Sequence, residues 1–408
     1  MIDAKVLENI KKYNQEQLLR FYDELNEDEK NNYDRQLNNL DFNLLDLLNN
    51  TKTEKKDSMY EPLGALKLED IQKNEDEYKK QGIKAIKEGK VGAVLLAGGQ
   101  GSRLGFDKPK GMFNIGENKE VYIFQRLVEN LMDVTTEAGC YIPLFVMTSE
   151  INDKDTREFF KEKNYFGYDK DYVFFFVQDM APSVDYNGKF LMAAKDKLCL
   201  TPNGNGGWFS SLLKSDVGNK LDELGIEWLN VFAVDNVLQR IADPLFVGAT
   251  ISSGCPSGAK VVKKARPDEK VGVMCKENGK PSIVEYYELT TEMMEAKDED
   301  GEPAYNYGVI LNYLFDVKQL KDIVNNKLSL HMAQKKIAYI DDAGELISPE
   351  EANGYKFETL ILDMINMFDD CLVFEVEREK EFAPVKNKTG VDSIDTAREL
   401  LKKNGIEI

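Results

Sequence analysis

Residues 94–116 read Val-Leu-Leu-Ala-Gly-Gly-Gln-Gly-Ser-Arg-Leu-Gly-Phe-Asp-Lys-Pro-Lys-Gly-Met-Phe-Asn-Ile-Gly, an apolar run that breaks into a glycine-rich, basic loop. A strand ending in Gly98, Gly99 and Gly101 delivers backbone without Cβ atoms, so its N–H groups can approach phosphate oxygens while Arg103, Lys108 and Lys110 supply positive charge. The expected ligand is a nucleoside triphosphate. From Gly99 the spacing is G-x-G-x-x-x-G, one residue longer than the dinucleotide fingerprint, and no Gly-Lys-Ser/Thr follows. A Rossmann dehydrogenase and a P-loop ATPase are therefore excluded. A lone Gly-Gly-x-Gly would read as an ordinary strand-to-helix turn; the appended Arg-Leu-Gly and Pro-Lys-Gly carry the segment past that reading.

The 408-residue chain is long enough for two or three domains with a large core. Its formal charge of -19 argues against nucleic acid and anionic membranes as partners, so an anionic substrate must be held by a local cluster of Lys and Arg. The five cysteines, at 140, 199, 255, 275 and 371, form no C-x-x-C pair and suit reduced thiols in a cytoplasmic protein. No apolar stretch approaches the ~20 residues that span a bilayer, and Met1–Arg20 lacks the apolar centre of a signal peptide. The single histidine, His331, rules out a multi-histidine metal site. Chemistry must run on Lys, Arg, carboxylates and a hard metal ion.

Residues 1–88 read as a helical region, with Leu18, Leu19, Tyr22 and Leu25, then Leu37, Leu40, Leu44, Leu45 and Leu48, recurring every three or four positions. From Val91 the texture changes to apolar runs at Val91–Ala97, Ile142–Ser149, Tyr172–Val177 and Trp228–Val234, separated by amphipathic stretches such as Val121–Thr135 and Asp153–Lys163. This alternation predicts an α/β fold built on a mostly parallel, doubly wound, Rossmann-like sheet with helices on both faces. Asn278-Gly279 between two extended runs in 271–288 predicts a type I′ hairpin, hence an antiparallel β insertion. Further strands are expected at Ile337–Asp341 and Cys371–Glu377, and His331–Lys336 reads by default as a helix with a solvated basic face. The expected division is 1–88, a catalytic domain over 89–390, and a helical tail over 391–408.

Several further segments can carry chemistry. The run Trp228–Val234 ends in Asp235-Asn236, and ligands of open α/β sheets sit beyond the carboxyl ends of strands, where one carboxylate suffices for Mg²⁺ bound to phosphates and waters. Asp235 reads equally well as a helix N-cap. Asn203-Gly-Asn-Gly-Gly207 is a surface turn or a close approach to a base or sugar, with Asn205 offering both a donor and an acceptor. Glu285-Tyr286 on the far arm of the hairpin could accept sugar hydroxyls, although most hairpin glutamates are simply solvated. Lys356 and Lys386 read, taken singly, as surface lysines.

In order along the chain, Leu-Ala-Gly-Gly-Gln-Gly-Ser-Arg-Leu-Gly, Pro-Lys-Gly-Met, Phe-Val-Gln178, Gly-Asn-Gly-Gly, Val-Asp-Asn, Gly-Ala-Lys-Val-Val, Val-Glu-Tyr, Ala-Gln-Lys-Lys, Asn-Gly-x-Lys and Glu-Phe-x-Pro-x-Lys resemble the UDP-N-acetylglucosamine pyrophosphorylase family, eukaryotic-type uridylyltransferases. The resemblance runs from roughly Val91 to Lys386 and implies a nucleotidyltransferase fold. It further implies that UTP and N-acetylglucosamine 1-phosphate, a hexosamine 1-phosphate, give UDP-N-acetylglucosamine and pyrophosphate. By the same resemblance, Leu96, Ala97, Gly98, Gly99 and Lys110 would contact UTP, and Gln178 and Gly204 would read uracil. Asn205, Asn236, Glu285 and Tyr286 would hold the sugar, Asp235 would bind Mg²⁺ or Mn²⁺, and Lys356 and Lys386 would meet the nucleotide and sugar phosphates. Arg103, Lys110 and Lys386 are the expected catalytic cations.

Departures from that pattern carry information. Tyr307-Gly308-Val309 stands where similar proteins have Ala-Gly-Asn, so a sugar-contacting amide is replaced by valine and glucose or galactose 1-phosphate becomes the alternative acceptor. Asn203 replaces an expected Asp and Ser102 a Thr. The chain ends soon after Lys386 without the C-terminal domain of longer relatives, and a monomer is expected. A UDP-sugar-dependent glycosyltransferase is the distant alternative; such enzymes often carry Asp-x-Asp, whereas this chain has Asp235-Asn236-Val237.

Overall fold

The computed structural model describes residues 1–50, 58–324 and 330–408, which fall into two compact units. The larger comprises Met59–Gln178, Gly207–Leu328 and Ile361–Ile408. At its centre the strands Val91–Leu96, Leu144–Thr148, Val173–Val177 and Trp228–Ala233 run parallel, with Trp228–Ala233 and Leu144–Thr148 on either side of Val91–Leu96. Every residue of Val91–Leu96 and Leu144–Thr148 is buried, as expected for strands covered on both faces.

Because side chains alternate across a strand, the same segments feed two separate cores. Ala93, Leu95, Leu144 and Val146 join one with Phe124, Leu127 and Leu131 of the helix Ile123–Ala138. Val94, Leu96, Phe145 and Met147 join the other with Trp208, Phe209 and Leu212 of the helix Trp208–Lys214. The doubly wound arrangement is thus present. The antiparallel part extends beyond the expected hairpin. Strand Tyr307–Asp316 pairs antiparallel with Trp228–Ala233 and with Ser257–Lys263, and the latter carries Leu372–Glu375 in parallel. The hairpin Val273–Glu277/Lys280–Val284 turns at Asn278 (φ 52°) and Gly279 (φ 84°), both in the left-handed region that a type I′ turn requires.

The smaller unit comprises Met1–Ser58, Asp179–Gly206 and Ser329–Leu360. Its core joins Val6, Ile10, Leu18, Phe21, Tyr33 and Leu37 to Val184, Phe190, Met192 and Phe357. Three expectations change. The boundary at 88 does not describe the division, since helices Leu68–Lys73 and Glu75–Lys87 belong to the larger unit while chain from 179–206 and 329–360 completes the smaller. The periodic run 18–25 forms two short 3₁₀ turns, Glu16–Leu19 and Tyr22–Glu24, which share the three-residue spacing of a helix. His331–Lys336 is not helical: Leu330–Lys335 is a strand, antiparallel to Gly354–Thr359 from Leu330↔Thr359 to Lys335↔Gly354.

Helix Glu75–Lys87 crosses helix Pro244–Ser253 at two glycines. A Cβ on Gly82 would lie 2.0 Å from the Pro244 carbonyl oxygen, and one on Gly248 would lie 1.8 Å from that of Tyr78. Backbone cannot yield as a flexible side chain does. Gly248→Val is therefore expected to lower stability by at least the ~1–3 kcal/mol typical of overpacking; an unchanged urea midpoint would contradict this close crossing.

Candidate active site

The glycine loop leaves the buried strand Val91–Leu96 and is fastened by its carbonyls. The Ser149 hydroxyl donates to Gly98 O at 3.0 Å, and Nδ2 of the fully buried Asn152 donates to Ala97 O at 2.9 Å. The loop also closes on itself, with Gly101 N donating to Lys108 O and Lys110 N to Gly99 O. Among the described residues the amides of Gly98 and Gly99 donate to no protein group. They remain as donors where the chain leaves the strand. Gln178, 6% exposed, lies against Gly98: a Cβ on that glycine would come within 2.3 Å of Gln178 Nε2. Gln100 Oε1 is buried without a partner, an acceptor in the same loop that the sequence had not singled out.

Four charged side chains converge beside this loop. Lys110 Nζ lies 3.8 Å from Asp235 Oδ2, too long for a hydrogen bond. Burial lowers the Lys110 ammonium below its ordinary range; Asp235 opposes the shift, and the positive charges of Lys386 and Arg103 reinforce it. Lys110 thus feels two further cations and the Asp235 carboxylate in a chain whose overall charge is strongly negative. Such a site attracts a polyanion. Asp235 itself belongs to no helix cap: the cap of Pro244–Ser253 is Asp243, whose carboxylate accepts from Leu245 N. Leu96 and Ala97 are buried, so what they present is backbone.

The segment after Asp235 is tied to residues 381–386. Val385 N donates to Asp235 O at 2.9 Å, and Val237 N donates to Ala383 O at 3.3 Å. Asn236, expected at the sugar, is 1% exposed and has both ends of its amide engaged, Nδ2 donating to Glu381 O at 2.7 Å and Oδ1 accepting from Ala383 N at 2.9 Å. Its amide thus fastens the loop to residues 381–383. Lys386 follows this junction, its Nζ 3.2 Å from Asp392 Oδ2. Beneath lies a chain of buried amides absent from the sequence reading. Asn312 Nδ2 donates to Gln239 Oε1, Asn230 Nδ2 to Asn312 Oδ1, and Gln239 Nε2 to Ala233 O. Their signal was available, since Asn230 interrupts an otherwise apolar strand.

Glu285 and Tyr286 follow the strand Lys280–Val284, with Tyr286 exposed and in edge contact with Tyr287. Val309 N donates to Gly272 O, and a Cβ built on Gly272 would lie 3.5 Å from Val309 Cγ2 and 3.7 Å from Glu285 Oε2. Val309 and Glu285 therefore flank one glycine. In the smaller unit, Gly204 adopts φ +88° and faces Thr359, whose carbonyl oxygen would lie 2.2 Å from a Cβ there. Asn205 opens the short turn Asn205–Gly207. Lys356 stands on strand Gly354–Thr359 opposite Ala333, and its charge weakly opposes the burial that pushes Cys199 up to about 12. Among the described residues no three His, Cys, Asp or Glu side chains gather into a metal cluster. No helix among them is long and apolar enough to cross a membrane.

Comparison with known proteins shows the family and the fold. The family described as UTP--glucose-1-phosphate uridylyltransferase matches residues 8–397. The human UDP-N-acetylhexosamine pyrophosphorylase-like protein 1 is 38% identical over 335 residues, which is 79% of this chain and 66%, just under two thirds, of that protein. The UDP-N-acetylglucosamine pyrophosphorylase of Saccharomyces cerevisiae is 38% identical over 341 residues, covering 80% of this chain and 71% of its own. The crystal structure of the uridine diphosphate N-acetylglucosamine pyrophosphorylase from Trypanosoma brucei superposes with a TM-score of 0.83 at 28% identity, covering 98% of this chain and 84% of that one.

The lowered Lys110 pKa has a consequence for stability. A base whose folded pKa lies below its unfolded value binds fewer protons when folded, so its charge opposes folding at neutral pH and ceases to do so as alkaline pH removes the proton. Lys110→Met is accordingly expected to unfold at a higher temperature than the parent at pH 7, with the gain shrinking as pH rises through the folded pKa. Thermal unfolding at several pH values measures it; a variant less stable at pH 7 would count against a desolvated ammonium.

Proposed function

The chain belongs to the UTP--glucose-1-phosphate uridylyltransferase family, and from that premise we propose that it is a Mg²⁺-dependent enzyme condensing UTP with N-acetylglucosamine 1-phosphate to UDP-N-acetylglucosamine and pyrophosphate. The observation that carries the reading is buried Lys110 with Lys386, Arg103 and Asp235 acting on it, beside the uncommitted amides of Gly98 and Gly99. In the reaction a phosphate oxygen of the sugar phosphate attacks the α-phosphorus of UTP, a new P–O bond forms, and the bond to the β-phosphate oxygen breaks. The nucleophile is already anionic, so no general base is needed. Positioning and charge neutralisation suffice.

The loop amides and Lys110 would hold the triphosphate, while Gln178, packed on Gly98, and Gly204 would recognise uracil. Lys386 and Lys356 would meet the phosphates, and Asn205, Asn236, Glu285 and Tyr286 the sugar. Asp235 fits a magnesium ion that takes its remaining ligands from phosphate and water, because it is partly exposed and its contact with Lys110 is too long to commit its oxygens. The ion would supply charge neutralisation on the phosphates, with Mn²⁺ as a substitute. Five free cysteines and a strongly acidic surface support a cytoplasmic setting, and we read the protein as a monomer. Glucose or galactose 1-phosphate is the second reading, favoured by apolar Val309 beside Gly272 and Glu285.

Four nucleoside triphosphates crossed with several sugar 1-phosphates, read by pyrophosphate release, test the assignment. The UTP and N-acetylglucosamine 1-phosphate pair is expected to be fastest; activity with glucose 1-phosphate alone would overturn the acceptor. Lys110→Ala is expected to lower kcat by roughly 10²-fold or more, as removal of a transition-state charge partner does. Asp235→Ala is expected to blunt the response to added Mg²⁺, and near-parental kinetics in both variants would refute the site.

A further inference from the structure

Lys260 is 0% exposed, on the strand Ser257–Lys263, and its ammonium makes three polar contacts. It donates to Asp243 Oδ2 at 2.9 Å, to Glu381 Oε2 at 2.6 Å and to the Arg240 carbonyl oxygen at 3.2 Å. An ammonium has three protons, so its capacity is filled. Its partners come from the two segments that meet at the candidate site. Arg240 and Asp243 lie at the far end of the loop that begins with Asp235, and Glu381 opens the segment that leads to Lys386. Glu381 also receives Arg240 N on its carboxylate at 3.2 Å and Asn236 Nδ2 on its carbonyl at 2.7 Å.

Stability alone does not account for such a group. Burying an ion pair costs desolvation that its attraction scarcely returns, and well-packed apolar replacements are often as stable or more so. The network shows the tension. Burial, joined by the Asp243 charge, pushes the Glu381 carboxyl above its ordinary range against the pull of Lys260. Burial acts the same way on Asp243, but Lys260, Arg240 and the hydrogen bonds to it prevail and hold it below. Without Lys260 the two buried carboxylates would face each other across its place. What the ammonium supplies is a second fastening, at Glu381, between two chain segments whose backbones meet in a single antiparallel bridge, Asn236 to Pro384.

We propose that Lys260 is a positioning residue that sets the spacing between the Asp235 carboxylate and the Lys386 ammonium by clamping Glu381 to the Arg240–Asp243 end of the loop. The effect on turnover rests on the reaction proposed above; the clamp itself does not. It reaches the site through Val385 N, bonded to Asp235 O, and Ala383 N, bonded to Asn236 Oδ1.

Two variants test this. Lys260→Met keeps the length of the side chain and removes the charge; Lys260→Met/Glu381→Gln also removes one of the two stranded carboxylates. Amide hydrogen exchange over 382–387 is measured on folded protein without substrate, and kcat and KM are measured with UTP and the preferred sugar phosphate. Both variants are expected to lose protection in 382–387 and to lose about 10- to 100-fold in kcat, the scale of small misplacements of reacting groups. The KM for UTP should stay within about 3-fold, since the glycine loop is fastened separately by Ser149 and Asn152. The double variant should recover thermal stability over Lys260→Met without recovering kcat. Parental protection in Lys260→Met, or return of kcat together with stability in the double variant, would overturn the positioning role. A parent chain inactive throughout the substrate matrix would instead overturn the reaction, while the exchange result decides the clamp.

Discussion

The structure depends on how the carboxyl ends of its parallel strands satisfy their polar groups. Strands covered on both faces end in a region nearly as dry as the core, yet the chain leaving them must present charge to a ligand. Here the transition is made by buried side-chain amides. Asn152 takes the carbonyl of Ala97, Gln239 that of Ala233, and Asn236 that of Glu381. A buried polar group left unpaired would cost roughly 1–3 kcal/mol, so each of these amides holds its loop to one conformation. Lys260 extends the same device with a full charge.

Around that frame the electrostatics are local. The net charge of -19 repels anions at a distance, but screening confines surface charge to about 8 Å at physiological salt. At Lys110 the charges of Lys386 and Arg103 act beside that of Asp235. Burial of Lys110 adds to this, because a desolvated ammonium gains more from an arriving phosphate than a hydrated one does. This is how a chain with one histidine can support the proposed phosphoryl chemistry. That histidine, His331, lies on the strand Leu330–Lys335 of the smaller unit.

Much of this was legible in particular residues. The runs at 91–97, 142–149, 172–177 and 228–234 became strands trimmed by one to three residues, because a doubly covered strand writes itself as continuous apolar sequence. Asn278-Gly279 specified its own turn. His331–Lys336 escaped because its partner, Gly354–Thr359, lies some twenty residues onward and the strand is only half covered, so neither periodicity nor composition marks it. The boundary at 88 escaped for a related reason: helix Glu75–Lys87 looks like its helical predecessors in sequence, and its glycine crossing with Pro244–Ser253 and the burial of Ala85 and Ile86 in the larger unit's core assign it there.

By itself the sequence determined the fold class and the glycine-rich loop with its neighbouring charged residues, since these follow from patterns read within a few neighbouring positions. Tertiary structure alone decided that Asn236 fastens the loop, that Val309 and Glu285 flank Gly272, and that Lys260 joins Asp243 to Glu381. These relations connect residues up to 145 positions apart, as Asn236 and Glu381 are. A hydrogen bond over such a separation leaves no periodic trace in the chain; it exists once the strands have set their register and brought the two ends together.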